Sequence, residues 1–107
     1  MTDFLNYKNF ALNYDTYKID DDFYIDVMLP GFKKEDIKLD YDDRLLTIKI
    51  ERAKRDDVEY EIVRSFYGKS QKVFSLEFEP EKIEAEFENG VLRIKLKKKK
   101  SKISIKF

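Results

Sequence analysis

Two residue types that often do chemistry in proteins, cysteine and histidine, are absent from this sequence. The chain therefore has no thiolate nucleophile, no imidazole metal ligand and no side chain that ordinarily titrates near neutral pH. Aspartates cluster at 20–22 and 42–43, but they lie at expected turns and lack calcium-loop spacing. The three glycines form neither a phosphate loop nor a nucleophile elbow. We expect no enzyme activity, no metal site and no cofactor.

A run of lysines, Lys97–Lys100, is the other group that could bind a ligand. Residues 93–107 contain no acidic residue, which would suit the phosphates of a nucleic acid. Against this interpretation, the chain has zero net charge, six glutamates lie between residues 77 and 88, and no nucleic-acid-binding module is recognisable. We expect a solvated spacer and no nucleic-acid partner, with nucleic-acid binding as the weaker alternative.

The composition predicts one folded domain with a charged surface. The 107 residues include 22 basic and 22 acidic side chains, and 42% are hydrophobic, which is too many for a disordered chain. The absence of cysteine fits a reducing compartment. There is no basic leader and no run of about eighteen uncharged residues. We therefore expect a cytoplasmic protein without a membrane partner.

The hydrophobic pattern from Tyr14 onward has a period of two, which predicts a mostly β protein. One half-buried strand is predicted over residues 24–29, ended by Pro30. A hairpin is predicted from residues 37–42 and 46–51, and a short strand within the polar loop at 58–64. The strand after Gly68 is predicted to stop before Pro80 and to carry three residues on one side, Phe74, Leu76 and Phe78.

Asn89 and Gly90 give the clearest local signal, because a two-residue type I′ turn needs positive φ at both central positions. The expected hairpin places these pairs opposite each other: Phe87–Leu92 and Ala85–Ile94 on the buried face, Glu86–Arg93 and Glu84–Lys95 on the outer face. Both faces agree on this register, and the apolar face sets it.

Several short strands without crossover helices predict an all-β fold, an antiparallel immunoglobulin-like β-sandwich of seven or eight strands. We expect this domain to cover residues 14–98. An amino-terminal arm, residues 1–13, precedes it, and a carboxyl-terminal extension, residues 99–107, follows it. Both flanks carry apolar residues outside the strand pattern.

Several short motifs occur in a fixed order along the chain. They are Tyr24, Val27, Leu29 to Phe32, Glu35 to Ile37, Leu45 to Arg52, Arg64, Ser65, Tyr67, Gly68, and the signature Ala85, Asn89, Gly90, Val91 and Leu92. Together, over residues 14–107, they resemble the α-crystallin domain of small heat-shock proteins. The resemblance implies the α-crystallin form of the sandwich. Ile103, Ser104 and Ile105 match that family's isoleucine-x-isoleucine motif.

Ile103 and Ile105 point to the same side of an extended segment, so the pair can fill two adjacent pockets. The resemblance implies that this assembly motif docks into a groove between edge strands of a neighbouring subunit, which also serves clients. The matching groove positions are Ile37, Leu39, Ile83, Ala85 and Phe87. A final strand packed on its own domain, or a frayed tail, is the alternative.

The segment 53–64 is long for a hairpin connection, and its embedded strand needs a sheet edge. The resemblance implies strand exchange between two subunits to form a dimer, with Tyr60, Ile62 and Arg64 in the exchanged strand. A loop folded back on its own domain is the alternative.

The arm offers Phe4, Leu5, Phe10 and Leu12, which a short segment cannot bury alone. We expect it to bind clients and to assist assembly, with an arm packed on the sandwich as the alternative.

The resemblance implies an ATP-independent chaperone, a holdase that forms homodimers and higher homo-oligomers. It would bind unfolding client proteins under stress and pass them to ATP-driven chaperones. A non-enzymatic adaptor module that binds specific folded partners is the competing hypothesis.

Overall fold

The computed structural model describes residues 12–99, which form seven strands and one short 3₁₀ turn at Lys34–Asp36. No α-helix occurs in this described range. The strands are β1 (Asn13–Ile19), β2 (Asp22–Met28), β3 (Ile37–Asp42), β4 (Leu45–Arg52), β5 (Gly68–Ser75), β6 (Pro80–Glu88) and β7 (Val91–Lys98).

The strands form two antiparallel sheets, one of four strands in the order β1-β2-β7-β6 and one of three strands in the order β3-β4-β5. The all-β class and the antiparallel sandwich predicted from the sequence are confirmed. Each sheet ends in two edge strands, so β1, β3, β5 and β6 have backbone groups that are unpaired on one side within the described sheets. Such edges are the natural places for a further strand to add.

The core lies under the three central strands, β2, β4 and β7. Alternate residues of these strands point inward and are almost fully excluded from solvent, as the pleat of a strand requires. The buried hydrophobic residues are Ile25, Val27, Leu29, Phe32, Leu46, Ile48, Ile50, Leu92, Ile94 and Leu96. None of them belongs to an edge strand, so the margins of the sandwich are less well covered than its centre.

The β6–β7 hairpin has the predicted turn and register. Asn89 and Gly90 have φ values of 53° and 76°, and all four predicted residue pairs lie opposite each other. The Gly90 carbonyl accepts a 2.7 Å hydrogen bond from the Leu29 amide. A Cβ atom at Gly90 would lie 3.3 Å from the Cα of Pro30. The turn therefore packs against the end of β2, and glycine meets both the φ and the space requirement.

The predicted strand up to Pro80 is wrong in its carboxyl-terminal half. β5 ends at Ser75, and Pro80 begins β6, where the absence of an amide proton is tolerated. Leu76 and Phe78 still pack against the core, and the Phe78 ring lies 4.9 Å from that of Phe23. The alternation of half-buried and exposed residues thus continues past the last residue of β5, into the segment that crosses to the other sheet. For this reason the hydrophobic pattern alone does not show where β5 ends.

Candidate assembly surfaces

An apolar groove of about 400 Å³ lies between β3 and β6, which are edge strands of different sheets. Its lining residues are Lys34, Ile37, Leu39, Ala85, Glu86, Phe87 and Leu92. Four of the five groove positions predicted from the resemblance are therefore brought together. Ile83 does not line this groove; it is half-buried and packs against the core. Lys34 on the β3 side and Glu86 on the β6 side give the two walls opposite charges.

Ala85 explains why the groove is open. The register places it opposite Ile94, but the predicted burial is wrong, because Ala85 is exposed while Ile94 is fully buried. β6 lies at the sheet edge, where the opposite sheet no longer covers it, and a methyl side chain does not fill the space. The neighbouring Phe87, Ile37 and Leu39 are only half-buried. The hairpin fixes the apolar residues in place, and the edge position leaves them accessible.

The second predicted surface is the loop between β4 and β5, residues 53–67. The predicted strand at 58–64 is absent, because these residues pair with no strand within the described chain. Ile62 is 76% exposed, Val58 and Val63 are also exposed, and so is Arg64. An extended segment becomes a strand only when an edge supplies hydrogen-bond partners, and the loop meets none here.

The loop has contacts of its own around two tyrosine rings. Tyr60 and Tyr67 pack with centroids 5.8 Å apart, and the Tyr60 hydroxyl accepts a 3.1 Å hydrogen bond from the Arg55 amide. The Arg52 guanidinium lies 4.5 Å from the Tyr67 ring and donates a 3.4 Å hydrogen bond to the Phe66 carbonyl. These contacts hold the base of the loop against the end of β4 and leave Ile62 in solvent.

β1 is the open edge of the four-stranded sheet on the side opposite the groove. Tyr14 packs edge-on against Phe74 of β5, with ring centroids 4.9 Å apart, and the Lys72 ammonium lies 5.7 Å from both centroids. This aromatic contact closes the side of the sandwich between the two sheets. The backbone edge of β1 still lacks a partner among the described strands, and Ile19 is 54% exposed.

Part of the predicted arm and all of the predicted tail motif lie outside the described residues: Phe4, Leu5, Phe10, Ile103 and Ile105. Leu12 is described; it is half-buried and packs against the core. The aspartate clusters sit at turns as expected, with positive φ at Asp20 and Asp43. Within residues 12–99, no group of three or more metal-ligating side chains is found, and no helix is long and apolar enough to cross a membrane.

A polar cluster on the outer face of the four-stranded sheet escaped the sequence analysis. Asp26 is only 8% exposed, and its carboxylate accepts hydrogen bonds from Arg93 Nε and Nη2 at 3.0 and 3.1 Å. It also accepts a bond from the Tyr17 hydroxyl at 3.1 Å, and the Tyr17 ring stacks on that of Tyr24 at 5.0 Å. The hydrogen bonds from Arg93 hold the pKa of Asp26 below its ordinary value. The strand order, which places β2 beside β7, was the missing information.

The comparisons with known proteins agree with this architecture. Residues 15–106 match the Hsp20/alpha crystallin family. The chain belongs to this family. Small heat shock protein C2 of Rickettsia felis is 33% identical over 97 residues, which is 86% of this chain and 63% of that protein. The 18 kDa heat shock protein of Clostridium acetobutylicum is 37% identical over 100 residues, which is 85% and 64% respectively. This Hsp20-family chain thus spans slightly less than two thirds of either relative.

Solved structures of Hsp20-family proteins have the same sandwich. Heat shock protein 16.0 from Schizosaccharomyces pombe superimposes with a TM-score of 0.69 at 28% identity, covering 92% of this chain and 99% of that one. A small heat-shock protein from Xylella fastidiosa gives a TM-score of 0.78 at 23% identity, covering 92% and 94%. The resemblance noted in the sequence is confirmed, and the fold is the α-crystallin domain sandwich of small heat shock proteins.

Replacing Asp26 with asparagine is expected to destabilise this Hsp20-family protein by about 1–2 kcal/mol at neutral pH, because Arg93 loses its charged acceptor. Since the folded pKa of Asp26 is lowered, its contribution is fully present above the unfolded pKa and is lost as pH falls through the folded pKa. Urea unfolding at about pH 7 and pH 3 should show the difference between the two proteins narrowing at the lower pH.

The matched control is Asp40→Asn, because Asp40 forms an ion pair of 3.2 Å with Lys49 on an exposed surface. Such a pair contributes less than about 1 kcal/mol, so this variant should stay within about 0.5 kcal/mol of the unmodified protein. Equal losses for the two substitutions would contradict a special role for the buried carboxylate.

Proposed function

We propose that this protein is an ATP-independent holding chaperone that binds partly unfolded proteins and keeps them from aggregating under heat or other stress. The observation that carries the proposal is the open apolar groove between β3 and β6 in an Hsp20-family chain. A groove formed by apolar side chains of two unpaired edge strands accepts extended apolar segments in general, and exposed apolar segments are what unfolding proteins share. The residues that would bind are Ile37, Leu39, Ala85 and Phe87. No reaction is required of them.

The tail motif is proposed to occupy this groove in a neighbouring subunit. Arg93, which lies opposite Glu86 of the groove, precedes Lys99 by six residues on an extended strand, roughly 20 Å. The four residues from Lys99 to Ile103 span at most about 14 Å. Ile103 therefore does not reach the groove of its own subunit at the level of Glu86, which favours docking on a neighbour and supports higher homo-oligomers.

The loop is proposed to form a strand with a second subunit. Tyr60, Ile62 and Arg64 lie on a segment with exposed apolar side chains and with no partner strand among residues 12–99. The open edge of β1, with the exposed Ile19, offers one. Pairing would satisfy backbone groups on both segments and cover Ile62. This homodimer is the proposed unit from which the tails build larger assemblies.

These contacts suit a reversible assembly. Burying two isoleucines contributes about 3–6 kcal/mol before the cost of ordering the tail. Heat or other stress that loosens the tails would free the groove and the arm, including Phe4, Leu5, Phe10 and Leu12, for unfolding clients, and ATP-driven chaperones would then refold them.

The proposed location is the cytoplasm, since a chain without cysteine suits a reducing compartment. The proposed domain division is the arm 1–13, the sandwich 14–98 and the extension 99–107.

The proposal is tested by light scattering from a heat-destabilised enzyme, with and without this protein and in the absence of ATP. We expect scattering to be suppressed at near-stoichiometric ratios, while an inert protein of equal mass has no effect. Adding ATP should change nothing. Absence of suppression under every stress tried would overturn the holding function and would favour an adaptor that binds specific folded partners.

A further inference from the structure

The β6 strand presents a row of acidic side chains beside the groove. Glu84, Glu86 and Glu88 alternate with the apolar residues of β6 and point to the outer face of the sheet. All three are exposed, and Glu86 also lines the groove itself. We call these three residues the acidic edge.

Most of the charge on the acidic edge is not neutralised within the described chain. Arg93 lies opposite Glu86, but its guanidinium is bound to Asp26 by two hydrogen bonds. Glu84 forms an ion pair of 3.0 Å with Lys82. Within residues 12–99, Glu86 and Glu88 have no ion pair. Arg93 is thus bound to Asp26 and does not neutralise Glu86, so the β6 side of the groove stays negatively charged.

The tail that the proposed assembly places in this groove is strongly basic. Residues 97–106 contain six lysines and no acidic residue. In an extended tail with Ile103 and Ile105 turned inward, Lys102 and Lys106 point outward, because side chains alternate. These two lysines are four residues apart, about 13 Å, which is also the spacing of Glu84 and Glu88. Lys34 on the β3 wall repels the tail from that side.

We propose that the acidic edge binds the lysines of a second copy's tail, so that assembly of this protein is set by ionic strength as well as by the two isoleucines. This inference rests on the proposed docking of the tail and adds its electrostatic component. A tail alongside β6 brings Lys102 and Lys106 to the outer face as cross-strand neighbours of the glutamates. Rim charges of this kind are screened by salt, whereas apolar burial is not. Salt therefore releases tails and opens grooves.

The test uses a fluorescein-labelled peptide with the sequence of residues 97–107. It is titrated into the full chain carrying Ile103→Gly and Ile105→Gly, so that the chain's own tails do not compete. We expect the affinity to fall about tenfold between about 50 mM and 500 mM NaCl. The added pair Glu86→Lys and Glu88→Lys should weaken binding by a similar factor at low salt and remove most of the salt dependence.

Matched variants separate specific pairing from overall charge. Glu51→Lys and Glu77→Lys together make the same charge change at two exposed positions away from the groove and should leave the affinity unchanged. A peptide carrying Lys102→Glu and Lys106→Glu should bind the Glu86→Lys, Glu88→Lys protein more tightly than it binds the protein with the acidic edge intact.

The possible failures are distinguishable. If the peptide binds equally well at both salt concentrations, the electrostatic inference is overturned while tail docking stands. If a peptide carrying Ile103→Gly and Ile105→Gly binds as tightly as the natural one, the apolar docking of the proposed function fails. If Glu51→Lys and Glu77→Lys together weaken binding as much as the acidic-edge pair, the effect is one of net charge and the assigned site is wrong.

Discussion

Replacing Ile103 and Ile105 together with glycine is expected to reduce the native mass of the assembly to that of the dimer. The two side chains contribute about 3–6 kcal/mol of apolar burial in the groove. Losing even the lower value weakens each tail contact more than a hundredfold. Native mass spectrometry, or light scattering after size-exclusion chromatography at a fixed protein concentration, measures the change.

The control for this experiment is Ser104→Gly. Ser104 lies between the two isoleucines and points to the opposite side of an extended tail, so it contributes no apolar burial in the groove. The Ser104→Gly substitution adds to the backbone the same conformational freedom as either isoleucine-to-glycine change. The control protein should keep its native mass. An unchanged mass for the isoleucine variant would show that the tail does not hold the assembly together.

The β6–β7 hairpin shows how much of this fold could be predicted from sequence. Asn89 and Gly90 fixed the turn, the hydrophobic pattern on both sides agreed with it, and all four predicted pairs were found. The burial of Ala85 was predicted wrongly because alternation tells which face a residue is on, not whether another layer covers that face. Coverage depends on the order of strands in the sheet, and that order is a property of the whole chain.

The same limit applies to the charges. The predicted register correctly places Glu86 opposite Arg93 on the outer face of the hairpin, yet Arg93 forms its ion pair with Asp26 of β2. β2 lies beside β7 in the sheet but 67 residues away along the chain, at Asp26 and Arg93. Only the sheet order shows that Arg93 lies between two carboxylates, those of Glu86 and Asp26. Its guanidinium binds Asp26, which is the less exposed of the two. Four of the five groove positions were predicted because the family resemblance indicated which two strands line the groove. The local sequence pattern does not contain this information.

The loop between β4 and β5 was predicted to carry a short strand at 58–64 because the side chains there alternate, and it has no strand within the described chain. Alternation predicts the ability to pair, whereas pairing requires an edge, and β4 is already paired on both sides. Ile62, 76% exposed, is then an apolar residue that no part of the described chain covers. This mismatch between strand pattern and loop structure supports strand exchange with a second subunit.

Deleting residues 56–63 is accordingly expected to convert the dimer into monomers. The deletion removes Tyr60 and Ile62, so the edge of β1 in the other subunit loses its strand. Seven residues would still connect Arg52 to Gly68, enough for a hairpin connection between β4 and β5. No buried core residue lies in the segment, so the sandwich should keep its fold and its stability within about 1 kcal/mol.

Sedimentation velocity over a range of protein concentrations measures the outcome, and urea unfolding confirms that the domain is intact. The matched control replaces residues 56–63 with glycine and serine at constant length, which keeps the connection and its backbone groups but removes the side chains, Ile62 among them, that pairing would cover. Both variants are made in the chain that also carries Ile103→Gly and Ile105→Gly, so that the tails do not join subunits. They should then sediment as single chains, since the lost contacts are those of the exchanged strand and not of the loop length. A dimer that persists in both would mean that the loop folds on its own domain and that the subunits associate through another surface.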